Sequence, residues 1–283
     1  MAKTQDLRRR IRSIRNTRQL TKAMKTVSAA KLRRSQEGML RARPYASQMR
    51  SVLSSLAARA NPEDHPLLAR RGDERIRALV ITSDRGLCGS FNVNIGRTAM
   101  VFAEEHRGRE LKTLTVGRKG REYLRRRGVT LDRDWPDVLR TMSYTTAVDI
   151  ARFLIDGYVD EQLDAVYLVY NEFKSAMQQK PVTSRLLPIE PLDLEPGESD
   201  EYIYEPDAAS LFDALLPKYV EFQIYHALLE SVAAEHAARM SAMDSATRNA
   251  GELIDKLTLH MNRVRQAAIT TEIIEVVSGA EAL

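Results

Sequence analysis

Apolar residues recur at steps of three and four at both ends of this chain and gather into short continuous runs in its middle. Over 6–59, Leu7, Ile11 and Ile14 set the step, Leu20, Met24 and Val27 repeat it, and Met49, Leu53 and Leu56 carry it on. The spacing predicts a long helix with a narrow stripe, close to a heptad seam. Gly38 and Pro44 are its breakers, so a bend is expected near 38–44. Asp207 follows Pro206 as a candidate N-cap for a second long helix, with Pro217 in its first turns as a possible kink or restart. From 218 to 277 there is no proline and one glycine, Gly251. Leu229, Val232, His236, Met240, Met243, Ala250, Ile254, Leu257, Met261, Val264 and Ala268 keep the helical step. About sixty helical residues would span roughly 90 Å, wider than a compact domain of this size. The expectation is a projecting helix that needs a partner for its stripe. The N-terminal helix supplies one, and the two are expected to pair antiparallel. Alanines along both stripes predict a slim rod.

The middle changes period. RALVIT at 77–82, LKTLTV at 111–116 and AVYLVYNEF at 165–173 read as buried strands, and QKPVTSRLLP at 179–188 as an edge strand. Helices are expected from Asn92 or Asn94 to His106, over 120–127, and over 145–162 with Val148, Phe153, Leu154 and Tyr158 inward. Strands alternating with helices imply an open parallel sheet. Residues 190–206 are acidic and hold Pro and Gly, and read as a loop. The fold class is thus α/β: a long antiparallel coiled coil of the terminal helices plus a small open-sheet, Rossmann-like domain. Its boundaries are 1–60 for the N-terminal helix, 75–206 for the α/β domain and 207–283 for the C-terminal helix.

The composition supports a helix-rich chain. Of 283 residues 43% are hydrophobic and only 6% aromatic, which argues against an all-β sandwich. The net charge of +5 hides a gradient. Residues 1–50 hold 15 Lys and Arg against 2 Asp and Glu, and 207–283 hold 6 against 11. A basic arm of this kind meets phosphates or an acidic protein surface. One cysteine, Cys88, excludes an internal disulfide and a cysteine-based zinc site. No apolar run reaches the ~18 residues of a membrane span, so no transmembrane segment is expected.

Candidate chemistry is sparse. SDRGLCGSFN at 83–92 follows a strand and precedes a helix, where phosphate loops sit, but has neither G-x-G-x-x-G nor G-x-x-x-x-G-K-[ST]. Cys88 reads as a buried structural residue, since no neighbouring base marks it as a nucleophile. Asp84 and Arg85 read as turn ties. The histidines at 65, 106, 226, 236 and 260 show no i, i+4 pair for a metal. No catalytic residue, cofactor or metal is expected. Two rival readings follow from the residues alone. One is a basic coiled-coil protein that binds nucleic acid, although 1–44 holds no aromatics for base stacking. The other is a nucleotide-dependent enzyme built on the 83–92 loop.

Four segments together resemble the γ subunit of F-type ATP synthase: IRSIRNTRQLTKAMKTVSAAKLRRSQ at 11–36, SDRGLCGSFN at 83–92, AARMSAMDSATRNAGELI at 237–254 and ITTEIIEVVSGAEA at 269–282. The resemblance runs from residue 3 to 283, which implies a bacterial-type member with no transit peptide. The regulatory cysteine pair of chloroplast-type members is absent. It implies a central rotor shaft without a catalytic site, standing inside a ring of α and β subunits that hold the nucleotides. Its foot would rest with the ε subunit on the ring of c subunits. No nucleic acid is implied, and the place is the cytoplasmic face of a bacterial plasma membrane, as a peripheral protein. By the same resemblance, contacts to β fall on Lys22, Met24, Lys25, Arg239, Arg265, Gln266, Thr270, Glu272 and Glu275. Contacts of the foot with the c ring fall on Tyr202, Tyr204 and Glu205.

Overall fold

The structure, a computed structural model, describes residues 2–57, 65–189 and 207–281. Its centre is a five-stranded sheet ordered β3-β2-β1-β4-β5. The strands are β1 (Arg75–Ile81), β2 (Glu110–Val116), β3 (Leu131–Trp135), β4 (Ala165–Phe173) and β5 (Gln179–Leu187). The first four are mutually parallel and β5 pairs antiparallel with β4. The continuous apolar run of β1 follows from its central place, where both faces are covered. Alternation then divides its side chains. Val80 joins Ile95 and Ala99 of α2 (Phe91–Glu105) and Leu124 of α3 (Arg118–Arg125). Leu79 and Ile81 point the other way, into the main core, against Ile150, Leu154 and Tyr158 of α5 (Tyr144–Val159). That core also takes Met49, Leu53 and Leu56 of α1 (Ala2–Ala57), and Phe212, Leu216, Val220, Ile224 and Leu228 of α6 (Ala208–Glu281).

Several sequence expectations change here. Strand β3 and the one-turn helix α4 (Val138–Thr141) had no expected counterpart. LDRDW carries two aspartates and an arginine because β3 is an edge strand. Asp132 lies 3.4 Å from Nε of the buried Arg77, and Asp134 2.7 Å from Arg121. In α5, Leu154 and Tyr158 are buried and Phe153 packs half-buried against the same core, as expected, whereas Val148 is half-buried. The Phe153 ring also receives the guanidiniums of Arg77 and Arg133, at 4.6 and 4.7 Å from its centroid. Neither Asn92 nor Asn94 caps α2; both lie inside it, behind Ser90. Helix α1 runs without interruption through Gly38 and Pro44, and α6 through Pro217. Asp207 does act at the start of α6, accepting from the Ser210 backbone N–H at 2.8 Å.

The chain forms two compact units, one of residues 30–238 around the sheet and one of residues up to 29 and from 239 onward. The second unit is an antiparallel helix pair. Lys25 meets Asp244, Thr21 meets Thr247, and Arg18 lies against Gly251, so numbers rise on one strand as they fall on the other. The α6 seam carries the expected residues from Met240 to Ala268, all buried or half-buried, and adds Thr247. The α1 seam differs from the expectation. Leu20 and Val27 are 61% and 56% exposed, while Thr21 and Ser28 are buried. A strict 3.5-residue repeat from Leu7 and Ile14 arrives at 21 and 28, and the apolar neighbours one position earlier are rotated about 100° out of the seam.

Four tyrosines of the sheet unit make its stability sensitive to alkali. Burial pushes the hydroxyls of Tyr144, Tyr158, Tyr167 and Tyr170 above the ordinary value of 10.0, Tyr170 to about 12. Their folded-state values exceed the unfolded ones, so this stability is whole below pH 10 and is lost as pH rises through the window toward 12. Urea midpoints measured from pH 8 to 11.5 are expected to hold up to about pH 10 and then fall, and Tyr170→Phe should flatten the fall.

Candidate partner-contact surface

In a doubly wound sheet the ligand crevice lies beyond the carboxyl ends of the strands where the order reverses, here at β1 and β4. The 83–92 loop leaves β1 at that point, and the polar groups of Ser83, Asp84 and Asn92 are engaged within the chain. Asn92 accepts from the Ser83 backbone N–H at 3.0 Å and donates to Ser83 Oγ at 2.8 Å and Cys88 Sγ at 3.2 Å. Asp84 accepts from the backbone N–H groups of Arg118 and Asp137 at 3.1 and 2.9 Å. Thr82 Oγ1 accepts from the Gly120 N–H at 2.7 Å. These backbone donors are the ones a phosphate would need. The apolar side of the crevice is filled too: Cys88 and Phe91 pack with Phe173 and with Ala234 and Ala238 of α6. The geometry therefore favours a sealed structural joint over a nucleotide site. Cys88 is buried and Asp84 ties the turn, as the sequence suggested. Asn92, the hub of the joint, was missed because only tertiary packing brings it back to Ser83.

The paired helices present a different surface. Lys22 is exposed and Met24 half-buried. Lys25 is half-exposed and turned to Asp244, at 2.5 Å. That contact holds the Asp244 carboxyl below its ordinary value, against the opposing effect of desolvation. Arg239 is half-buried and engaged within the chain. Arg265, Gln266, Thr270, Glu272 and Glu275 are all exposed, and the Thr270 hydroxyl donates to the Gln266 carbonyl at 3.0 Å. The expected foot residues Tyr202, Tyr204 and Glu205 lie outside the described residues.

Missing from the sequence expectation were the apolar residues that share this surface. Ile269, Ile273, Ile274, Val276 and Val277 are 48–72% exposed along the last turns of α6. The pairs 21/247 and 25/244 set a register in which Ala2 stands opposite about residue 267. The last turns thus extend past the start of α1, and their apolar side chains have no α1 residue to pack on. A row of this kind marks a surface made to be covered. Among the described residues no helix is long and apolar enough to cross a membrane, and no cluster of three or more His, Cys, Asp or Glu could hold a metal.

Comparison with known proteins decides the family. The model of the ATP synthase family matches residues 3–283. A Solibacter usitatus protein named ATP synthase gamma chain is 54% identical over 282 residues, covering 98% of both chains. This chain belongs to the ATP synthase gamma-chain family. A Geobacter sp. (strain M21) gamma chain is 50% identical over 289 residues, covering 100% of this chain and 99% of its own. Among solved structures, a chain of the Tetrahymena thermophila mitochondrial ATP synthase central stalk and c ring superposes with a TM-score of 0.62 at 27% identity, covering 80% of this chain and 99% of that one. An ATP synthase gamma chain is a non-catalytic subunit, in keeping with the sealed crevice. Nothing in the match or in the geometry favours the nucleic-acid reading of the basic arm.

Proposed function

We propose that this chain is the central shaft of a rotary ATP synthase, turning inside a ring of α and β subunits whose β chains carry the catalytic sites. The observation that carries the reading is the helix pair that ends in exposed apolar turns of α6, in a chain matched along its whole length by gamma chains. Its globular unit would bear, with an ε subunit, on a ring of c subunits at the cytoplasmic face of a bacterial plasma membrane. Lys22, Met24, Lys25 and Arg239 would face β at one level, and Arg265, Gln266, Thr270, Glu272 and Glu275 at another. Tyr202, Tyr204 and Glu205 would meet the c ring.

The chain acts through differential contact alone. Three identical sites around an asymmetric rod each meet a different side of it, so each is biased toward a different conformation. Moving one site from 1:99 to 99:1 takes about 5.5 kcal/mol of differential interaction. Exposed ion pairs contribute about 0–1 kcal/mol each, so steric exclusion by the rod carries most of the bias and charges such as Lys22 adjust it. Co-purification with α and β, followed by nucleotide hydrolysis with and without this chain, tests the reading. The chain is expected to enter the complex and change its turnover, and Lys22→Ala to weaken coupling only mildly. A chain that neither binds α and β nor alters hydrolysis would overturn it.

A further inference from the structure

The seam between the two terminal helix segments is apolar at one end and polar over two turns. By the register Ile11 and Ile14 face Ile254, Leu257 and Met261, and in the next layers charged and hydroxylated residues stand among the buried Met243 and Ala250. Thr21 and Thr247 join hydroxyls at 2.8 Å, and Thr247 also donates to the Met243 carbonyl at 2.7 Å. Lys25 Nζ stands 2.5 Å from Asp244 Oδ1, with Arg248 3.4 Å from the other carboxylate oxygen. The Arg18 guanidinium lies across Gly251, its carbon 3.5 Å from where a Cβ would stand.

An apolar heptad seam has a known weakness: sliding one helix by seven residues, about 10 Å, restores knob-in-hole packing. Such a slide breaks both native polar pairs at once, leaving a single substitute in each direction, Thr247 with Ser28 or Asp244 with Arg18. In one direction Thr21 meets Ile254 and Lys25 meets Gly251. In the other Thr21 meets Met240, Thr247 meets Ile14, and Arg18 takes over Asp244. Either slide separates the hydroxyl pair and the Lys25–Asp244 pair together. A polar residue at a seam position fixes register by this kind of penalty.

We infer that Thr21, Lys25, Asp244 and Thr247 are positioning residues that lock the register of the two helices, so that twist passes along the pair without sliding. Lys25 then acts inward through Asp244 as well as standing half-exposed toward a surrounding subunit. The inference rests on the shaft reading for its consequence, and on the contacts above for its geometry.

Register and coupling are read together on the full chain assembled with its partner subunits in vesicles. Cysteine pairs report register by copper-phenanthroline crosslinking: Ile11→Cys with Leu257→Cys for the native setting, and Ile11→Cys with Ala250→Cys or Val264→Cys for the two slides. The unmodified seam is expected to crosslink at 11/257 alone. With Thr21→Val and Lys25→Asp, a slid pair should crosslink and ATP-driven proton pumping should fall about fivefold or more, with hydrolysis retained. Lys25→Asp with Asp244→Lys should restore both readouts. The lock is overturned if the slid pairs never crosslink, or if Lys25→Asp lowers pumping and the charge swap fails to rescue it. Failure of the unmodified chain to support pumping while still crosslinking at 11/257 would instead count against the shaft reading.

Discussion

Gly117→Ala is expected to leave the sheet unit at or below the edge of folding. Gly117 follows β2 with a backbone φ of 87° and donates its N–H to the Trp135 carbonyl at 2.9 Å. A Cβ there would stand 2.7 Å from the Thr82 carbonyl carbon and 3.0 Å from that of Ser83. Both atoms belong to backbone at the end of the central strand, which is pinned by its neighbours on each side. Backbone at φ 87° and ψ 143° is essentially a glycine region and costs another residue roughly 1–3 kcal/mol, and overpacking against backbone adds roughly 1–3 kcal/mol. The sum, about 2–6 kcal/mol, is a large share of the 5–15 kcal/mol typical of a native protein. Gly128→Ala separates the two contributions. Its φ is 77°, and a Cβ there meets nothing within 4 Å, so it should cost only the backbone share. Urea unfolding followed by circular dichroism measures both, and equal midpoints for the two variants would refute the steric argument.

Ala234→Leu is expected to open the joint between α6 and the 83–92 loop, at a cost of about 2–3 kcal/mol. Ala234 is fully buried and packs on Cys88 and Phe91. Three added heavy atoms have no free volume, because Phe173 and Ala238 close the same cluster and protein interiors are close-packed. The way out is to lift the loop, which breaks the Asn92 contacts to Ser83 and Cys88. Cys88 is buried in the folded chain, so a rise in its reactivity toward a thiol reagent reports that lift directly. A Leu variant with unchanged stability and an unreactive thiol would mean that the crevice has room that the packing denies.

The sequence alone determined the two long helices, the strands read at 77–82, 111–116 and 165–173, the edge strand at 179–188, whose antiparallel pairing only the structure shows, and the α6 side of the seam. Each rests on apolar residues at a fixed period, which the hydrophobic effect reads locally. Only the tertiary structure decided the rest. Thr21 and Ser28 take the places that Leu20 and Val27 seemed to claim, because register is set by the partner helix and not by hydrophobicity at one position. Strand β3 is polar, and it is a strand only because β2 offers it an edge. Asn92 is a hub because folding returns it to Ser83. The apolar side chains from Ile269 to Val277 are exposed because the register leaves no turn of α1 opposite them. For β3 and Asn92 the deciding energy comes from residues distant in sequence, and at Thr21 and Ser28 the heptad from Leu7 becomes decisive only against the partner helix.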